Sequence, residues 1–348
     1  MGRARSLSSA PPERPAVTPT GRSAVLTAAL TVLLAALAVA SLFVGANPVP
    51  PADVAAALGG AGSEEAAFVV WGQRVPRLLA GLLVGAALGA AGALIQAFTR
   101  NPLADPGILG VAPGAALFVA LGVAFLGVTQ PIEYVWLACM GAFVVTAGVY
   151  ALGSSRRGPA DAVRLTLAGV AVGAVLSGIT TGLTLTHPDA FDRMRGWNAG
   201  SLLGADSDAL AACAPLVVVG LALALFIAPA LNSVALGDDV ARSHGVRLGN
   251  VRGRTIVAVT VLAGAATAIA GPISFVGLMV PHVVRWGVGV DQRRIFAVSM
   301  LAGPALVVAA DIVGRVAAPG EVPAGIVTAF VGAPVLIALV RRRKASAL

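Results

Sequence analysis

Charge is what this sequence most lacks: Asp, Glu, Lys and Arg together make up 11% of its 348 residues. A water-soluble domain needs about a quarter of its residues charged to coat its surface. Water is thereby excluded as the solvent for most of the chain, and lipid takes its place. Lysine is nearly absent. Lys344 stands alone and is followed by Ala345, so there is no G-x-x-x-x-G-K-[ST] loop and no standard P-loop ATPase site. H-E-x-x-H, C-x-x-C and G-x-G-x-x-G are also missing, and the three histidines, His187, His244 and His282, are too far apart in sequence to suggest a local metal cluster. The two cysteines, Cys139 and Cys213, fall inside apolar runs and read as small hydrophobes rather than a disulfide or metal pair. With aromatics at 5%, the net charge of +8 has few rings beside it to stack on bases. Nucleic acid is therefore not a partner, and the arginines read as cytoplasmic anchors of membrane loops.

What is present is apolar: 57% hydrophobic residues, 42 glycines and a mean hydropathy of +0.89. A bilayer core about 30 Å thick needs roughly 20 apolar residues in a helix. About ten such runs occur, near 24–45, 76–98, 107–127, 132–152, 163–186, 208–228, 252–270, 273–290, 294–314 and 323–341. Only Gly271 and Pro272 part the seventh from the eighth. The predicted fold is an all-α integral membrane protein with about ten transmembrane helices. Residues 1–22, rich in Pro, Ser and Arg, read as a disordered cytoplasmic tail, 23–341 as one membrane domain, and 342–348 as a basic cytoplasmic tail. The run from Ser23 to Gly45 is longer than a signal-peptide core and reads as a true first span.

Placing the N-terminus inside sends Arg3, Arg5, Arg14, Arg22, Arg100, Arg156, Arg157, Arg164, Arg242, Arg247, Arg252, Arg254, Arg285, Arg293, Arg294, Arg341, Arg342, Arg343 and Lys344 to the cytoplasm. Only Arg74, Arg77, Arg193, Arg195 and Arg315 remain outside, a split of 19 to 5 that favours an even number of spans in the cell membrane with both termini cytoplasmic.

Four patterns stand out against this background. Gly81, Gly85 and Gly89 form a small-xxx-small face suited to close helix packing. Ser177, Thr180, Thr181 and Thr184 place four hydroxyls on one side of the fifth span, either bonded back to their own helix or lining a solute path. Between the sixth and seventh spans, Asp238 can cap a short helix starting at Asp239, and Gly245 can end it; such a helix in a cytoplasmic loop suits a docking partner. Asp311 and Arg315 are spaced as an i, i+4 ion pair, while Arg74, Arg77 and Arg315 break the positive-inside pattern and suit a receptor for carboxylates on an external partner.

Two rival classes fit less well. An ion-coupled secondary transporter usually buries a carboxylate or an unwound helix at mid-membrane. The acids here fall at predicted span ends, with Asp105, Asp161, Asp238, Asp239 and Asp291 inside and Asp53, Glu64, Glu65 and Glu321 outside. An intramembrane hydrolase needs a nucleophile and base that can meet, and no Ser/His pair stands out.

Several ordered blocks carry a family resemblance: Arg74-Val-Pro-Arg77, the stretch from Gln96 through Asn101-Pro-Leu-Ala-Asp105 to Gly110, Leu167–Ala171, Gly200–Leu202, Ala235–Gly237, Phe275–Arg285, Asp311–Arg315, Glu321–Pro323 and Gly332–Pro334. From about Trp71 to Arg341 the chain resembles the permease subunits of ATP-binding-cassette importers for ferric siderophores, haem and cobalamin, often called the FecCD type. The resemblance implies the type II importer fold of ten helices and a second permease subunit, the same or a related chain. It also implies two cytoplasmic ATPases that hold the ATP and Mg, and an extracellular binding protein, which in such systems can be a lipoprotein. No cofactor is expected on this chain, and it is not expected to be an enzyme. The loop of about 231–251 becomes the coupling-helix region, with Leu236, Gly237, Asp238, Asp239, Ala241, Arg242 and Gly245 at the ATPase. Arg74, Arg77 and Arg315 are expected to meet glutamates of the binding protein, and Ser177 to Thr184 to line the path with the tenth helix. Ala162 and Val163 stand where some relatives have a Thr/Ser pair at the inner gate. Ferric siderophore is the leading cargo, ahead of haem and cobalamin.

Overall fold

A computed structural model describes residues 19–154, 162–318 and 320–346, and among them there is no strand. The helices are α1 (Pro19–Phe43), α2 (Pro51–Leu58), α3 (Glu64–Ala67), α4 (Val75–Thr99), α5 (Val111–Leu126), α6 (Pro131–Gly153), α7 (Ala162–Thr186), α8 (Pro188–Trp197), α9 (Ser207–Ala235), α10 (Asp238–Ser243), α11 (Leu248–Ala270), α12 (Val276–Val288), α13 (Gln292–Ala317) and α14 (Ala324–Ser346). A π-helical turn, Phe68–Arg74, joins α3 to α4, and a 3-10 turn, Pro106–Leu109, precedes α5. Each of the ten apolar runs is a helix, because a chain in lipid must satisfy its backbone groups internally. Among the described residues seven segments are long and apolar enough to cross a membrane, and Val111–Leu126, Val276–Val288 and Ala324–Ala338 are shorter apolar helices.

The narrow gap between the seventh and eighth runs is a true break: α11 stops at Gly271 (φ 69°), and α12 starts after Phe275, itself at φ 68°. Three short elements escape a search for apolar runs, namely α2, the α3 and π-turn extension, and the polar α8. Helix α1 begins at Pro19 and α14 reaches Ser346, so helix enters both segments read as tails. Residues 1–18 and the expected loop residues Arg156, Arg157 and Asp161 lie outside the described residues.

Helix α4 is the centre of the bundle, buried along most of its length against α9, α11, α12 and α13. Lipid supplies no hydrophobic drive between helices, so contact must come from close packing. The predicted glycine face provides it: a Cβ on Gly85 would strike the Pro304 backbone of α13, and one on Gly89 would lie 2.5 Å from the Ser299 carbonyl.

The chain after α4 does not leave the bundle. Arg100 turns in the left-handed conformation (φ 51°), and the loop doubles back, so that the Ala104 carbonyl lies 3.5 Å from Gln96 Nε2 while Pro106 and the Leu88 carbonyl crowd the same side of Gly277. Leu88 is about 16 Å from the end of α4 at 1.5 Å per residue. Asp105 was expected at an inner span end; its half-buried side chain instead shares a small cavity with Leu88 of mid-α4, since Gln96 bonds the Ala104 carbonyl and Gly277 leaves room for Pro106.

Candidate functional site

The three unusual arginines meet at one end of α4. Arg74 and Arg77 lie one turn apart at its entrance, and Arg315 comes from the last turn of α13. They are 4, 9 and 3% exposed. Asp311, four residues before Arg315 on the same face, accepts from both neighbours: Arg77 Nε at 2.9 and 3.1 Å and Arg315 Nε at 2.9 Å. Arg77 Nη1 also pairs with Glu321 at 2.7 Å. The remaining donors cap α1, whose last carbonyls have no partner within the helix. Arg74 donates to Leu42, Phe43 and Asn47 carbonyls at 2.7, 3.2 and 2.9 Å, and Arg315 to those of Ser41 and Val44 at 2.6 and 2.8 Å.

The guanidiniums were expected to face an outside partner. The structure gives every one of them contacts within the chain and leaves their edges as the wall of an open cavity of about 300 Å³, shared with Gly45, Asn47, Gln73 and Glu321. Three cations meet two anions here, so the cavity keeps an excess of positive charge.

The opposite end of α4 is tied to the short helix in the loop. Helix α10 spans Asp238–Ser243. Its N-cap is Gly237, at φ 122°, and not Asp238 as the sequence suggested, because the Asp238 carboxylate is taken by stronger partners. It forms ion pairs with Arg100, at the end of α4, and with Arg252 of α11 at 2.8 Å. Arg100 also donates to the Val234 carbonyl at 2.9 Å. Gly245 does end the helix, in the left-handed conformation (φ 75°), with Gly245 N bonded to Arg242 O and Val246 N to Ala241 O at 2.9 and 3.0 Å, a Schellman pattern. Ala241 is buried beneath, whereas Leu236 and the Asp239–Arg242 pair are exposed, Asp239 almost wholly.

On α7, Ser177 and Thr181 are exposed, Thr184 is half-buried and Thr180 is buried. Thr180, Thr181 and Thr184 donate to the carbonyls of Leu176, Ser177 and Thr181 at 2.8, 2.9 and 3.0 Å. The threonine hydroxyls thus bond back to their own helix, and Ser177 and Thr181 lie on an unpartnered face with Val163, Leu167 and Val170.

Sequence reasoning missed Gln96. It is buried on α4, donates to the Leu278 carbonyl at 2.9 Å and accepts from Arg285 at 3.3 Å, which pins α12 to α4. A lone amide inside an apolar run was the available signal. Asn232 likewise joins α9 to the start of α13, through Asp291 at 2.9 Å and Gln292 N at 2.7 Å. Among the described residues no group of three His, Cys, Asp or Glu side chains could hold a metal ion.

The described residues thus form an apolar bundle with a charged clasp at one end and an exposed helix locked to the other. Comparisons with known proteins supply the class. A profile of the FecCD transport family matches residues 33–342, and the chain belongs to that family. It is a permease subunit and not an enzyme. The ferric enterobactin transport system permease protein FepD of Escherichia coli is 47% identical over 320 residues, covering 92% of this chain and 96% of FepD. The Fe(3+)-citrate import system permease protein YfmD of Bacillus subtilis is 39% identical over 81% of this chain and 83% of its own. Among solved structures, a metal-chelate type ABC transporter in an inward-facing conformation superposes with a TM-score of 0.79 at 26% identity, over 92% of this chain and 99% of that one.

Proposed function

We propose that this permease carries a ferric siderophore into the cytoplasm by alternating access, paired with a second permease subunit, driven by two ATPases that dock on α10 and loaded by a binding protein that docks on the arginine cavity. Both termini are cytoplasmic in this reading. The observation that carries it is the two-ended build of α4, which bears the arginine clasp at one end and, about 35 Å away at 1.5 Å per residue, the Arg100–Asp238 tie to α10 at the other. A rigid helix between two docking faces transmits movement from one to the other. The cargo follows the relatives named for ferric enterobactin and Fe(3+)-citrate. The unpartnered face of α7, with Ser177, Thr181 and Thr184, would line the path together with α14. In vesicles containing the full assembly, uptake of a ferric siderophore should stop on ATP depletion and survive an ionophore. The reverse pattern would restore the ion-coupled reading.

Two variants test the docking faces separately. Gln73 is exposed at the rim of the arginine cavity. Gln73→Glu adds a negative charge there without touching the buried clasp and should weaken binding-protein affinity about tenfold at low salt, roughly 1.4 kcal/mol. Equal affinity by surface plasmon resonance would remove that docking role. At the other end, Asp239 and Arg242 contact mainly solvent and each other. Alanine at both should leave the melting temperature unchanged yet cut transport-coupled ATP hydrolysis several-fold; full retention of the coupled rate would reduce α10 to a connector.

A further inference from the structure

Helices α9 and α11 pack together and leave between them an open groove of about 410 Å³. It is lined by Leu223 of α9 and by Gly249, Asn250, Gly253, Arg254 and Val257 of α11. Nothing stands within 4 Å of where a Cβ would be on Gly249 or Gly253, so the floor of the groove is unfilled. Farther along, the exposed side chains are apolar. Val218, Val219, Leu225 and Phe226, at i, i+1, i+7 and i+8, share one face of α9, and Val257 of α11 lies beside them.

Arg254 is the one charged residue among the described residues that line the groove. It is exposed and lies six residues past Leu248, about 9 Å along a helix long and apolar enough to cross a membrane. Its guanidinium stands 5.7 Å from the centroid of the Phe226 ring, a cation–π contact. Among the described residues no carboxylate pairs with it: Asp238 is held by Arg100 and Arg252, Asp239 by Arg242, and Asp291 by Arg294. Arg247, two turns nearer the end of the bundle, is exposed and likewise makes no ion pair among the described residues. A cation at this depth is costly in lipid unless an anion meets it, and the groove has no acid of its own.

We propose that this groove binds an anionic phospholipid, with the phosphodiester on Arg254 and Asn250 and the acyl chains along Val257, Phe226 and Val219. Charge decides the headgroup. Each arginine near a membrane surface favours a lipid of net negative charge by about fivefold over a zwitterionic one. The apolar face decides the rest of the molecule: it offers a soluble protein or a free anion little to hold, whereas acyl chains are its ordinary solvent. The unfilled floor at Gly249 and Gly253 gives the phosphate room to approach the helix. Arg252, two residues before Arg254, ties α11 to Asp238 of α10, so the lipid would sit beside the mooring of that short helix. None of this depends on which solute the permease carries.

The test uses the full assembly in phosphatidylcholine vesicles holding a trace of phosphatidylglycerol with a photoactivatable diazirine in one acyl chain. Labelled peptides are then read by mass spectrometry. Label on residues 218–226 and 253–257 should exceed that from a phosphatidylcholine carrying the same diazirine by at least about fivefold. It should fall about fivefold in Arg254→Gln and be largely kept in Arg254→Lys. Gly253→Phe, which fills open space and crowds nothing, should lower it as well. Excess unlabelled phosphatidylglycerol should compete, and free glycerol phosphate should not. Equal labelling by the two lipids, or labelling unchanged in both Arg254→Gln and Gly253→Phe, overturns the proposal and leaves ordinary bilayer contact. Competition by glycerol phosphate overturns it in favour of a site for small anions. Label that reaches the isolated permease but not the full assembly overturns it too, because a partner chain then covers the groove.

Discussion

Asp311→Ala should leave the purified permease aggregated or melting far below wild type. The substitution removes the one carboxylate that Arg77 and Arg315 share, and both guanidiniums are nearly out of reach of solvent. Breaking a buried ion pair by deleting one partner costs about 3–5 kcal/mol, because the other charge is left without compensation. Here two cations would be left facing each other, with Glu321 as the nearest remaining anion. Asp311→Asn keeps the shape and the acceptor oxygen but not the charge, and its loss should be smaller. Thermal melting followed by size-exclusion chromatography in detergent separates the two; an alanine variant as stable as wild type would show that the clasp is ornamental to folding.

Gly89→Leu should be comparably damaging by a different route. The Ser299 carbonyl on α13 stands 2.5 Å from where a Cβ would be, and it is backbone, so no side chain can rotate out of the way. Overpacking usually costs about 1–3 kcal/mol when side chains can shift; here α4 and α13 must part, and the loss should exceed that range. The helices that move include the two that hold the clasp, so protease sensitivity should rise at the α1 connection as well as at the packing face. Wild-type melting of Gly89→Leu would mean that the two helices do not meet through this face. Gly178, which has nothing near its missing Cβ, is the control, and its replacement by alanine should be neutral.

How far the sequence carries depends on the range of the interaction involved. The ten helices were legible because a run of about twenty apolar residues decides its own fate in lipid, with no help from distant parts of the chain. The glycine face on α4 was legible for the same reason. Helices α2 and α8 were not, since a short polar helix leaves no long apolar run. At Asp238 the local signal was genuine but lost: a carboxylate that could have capped its own helix is held by Arg100, 138 residues earlier. Arg74, Arg77 and Arg315 were conspicuous as charges, yet the Arg77–Asp311 contact spans 234 residues, and no local pattern reveals it. Asp105 shows the same limit at short range. A loop between two apolar runs reads as solvated, and only the side-chain amide of Gln96 and the glycine at 277 explain why this one turns inward.

The mooring of α1 has a consequence in time. Most of its surface faces away from the bundle, and besides the bonds at its end it packs mainly on the late elements α12 and α13. The carbonyls at that end wait for guanidiniums that the ribosome adds later: Arg74 arrives 32 residues after Leu42, and Arg315 arrives 274 residues after Ser41. Most of the packing and half of the mooring of α1 thus come from elements made more than 200 residues after it. A chain that stops before Arg315 lacks the donor to the Ser41 and Val44 carbonyls and keeps only those of Arg74.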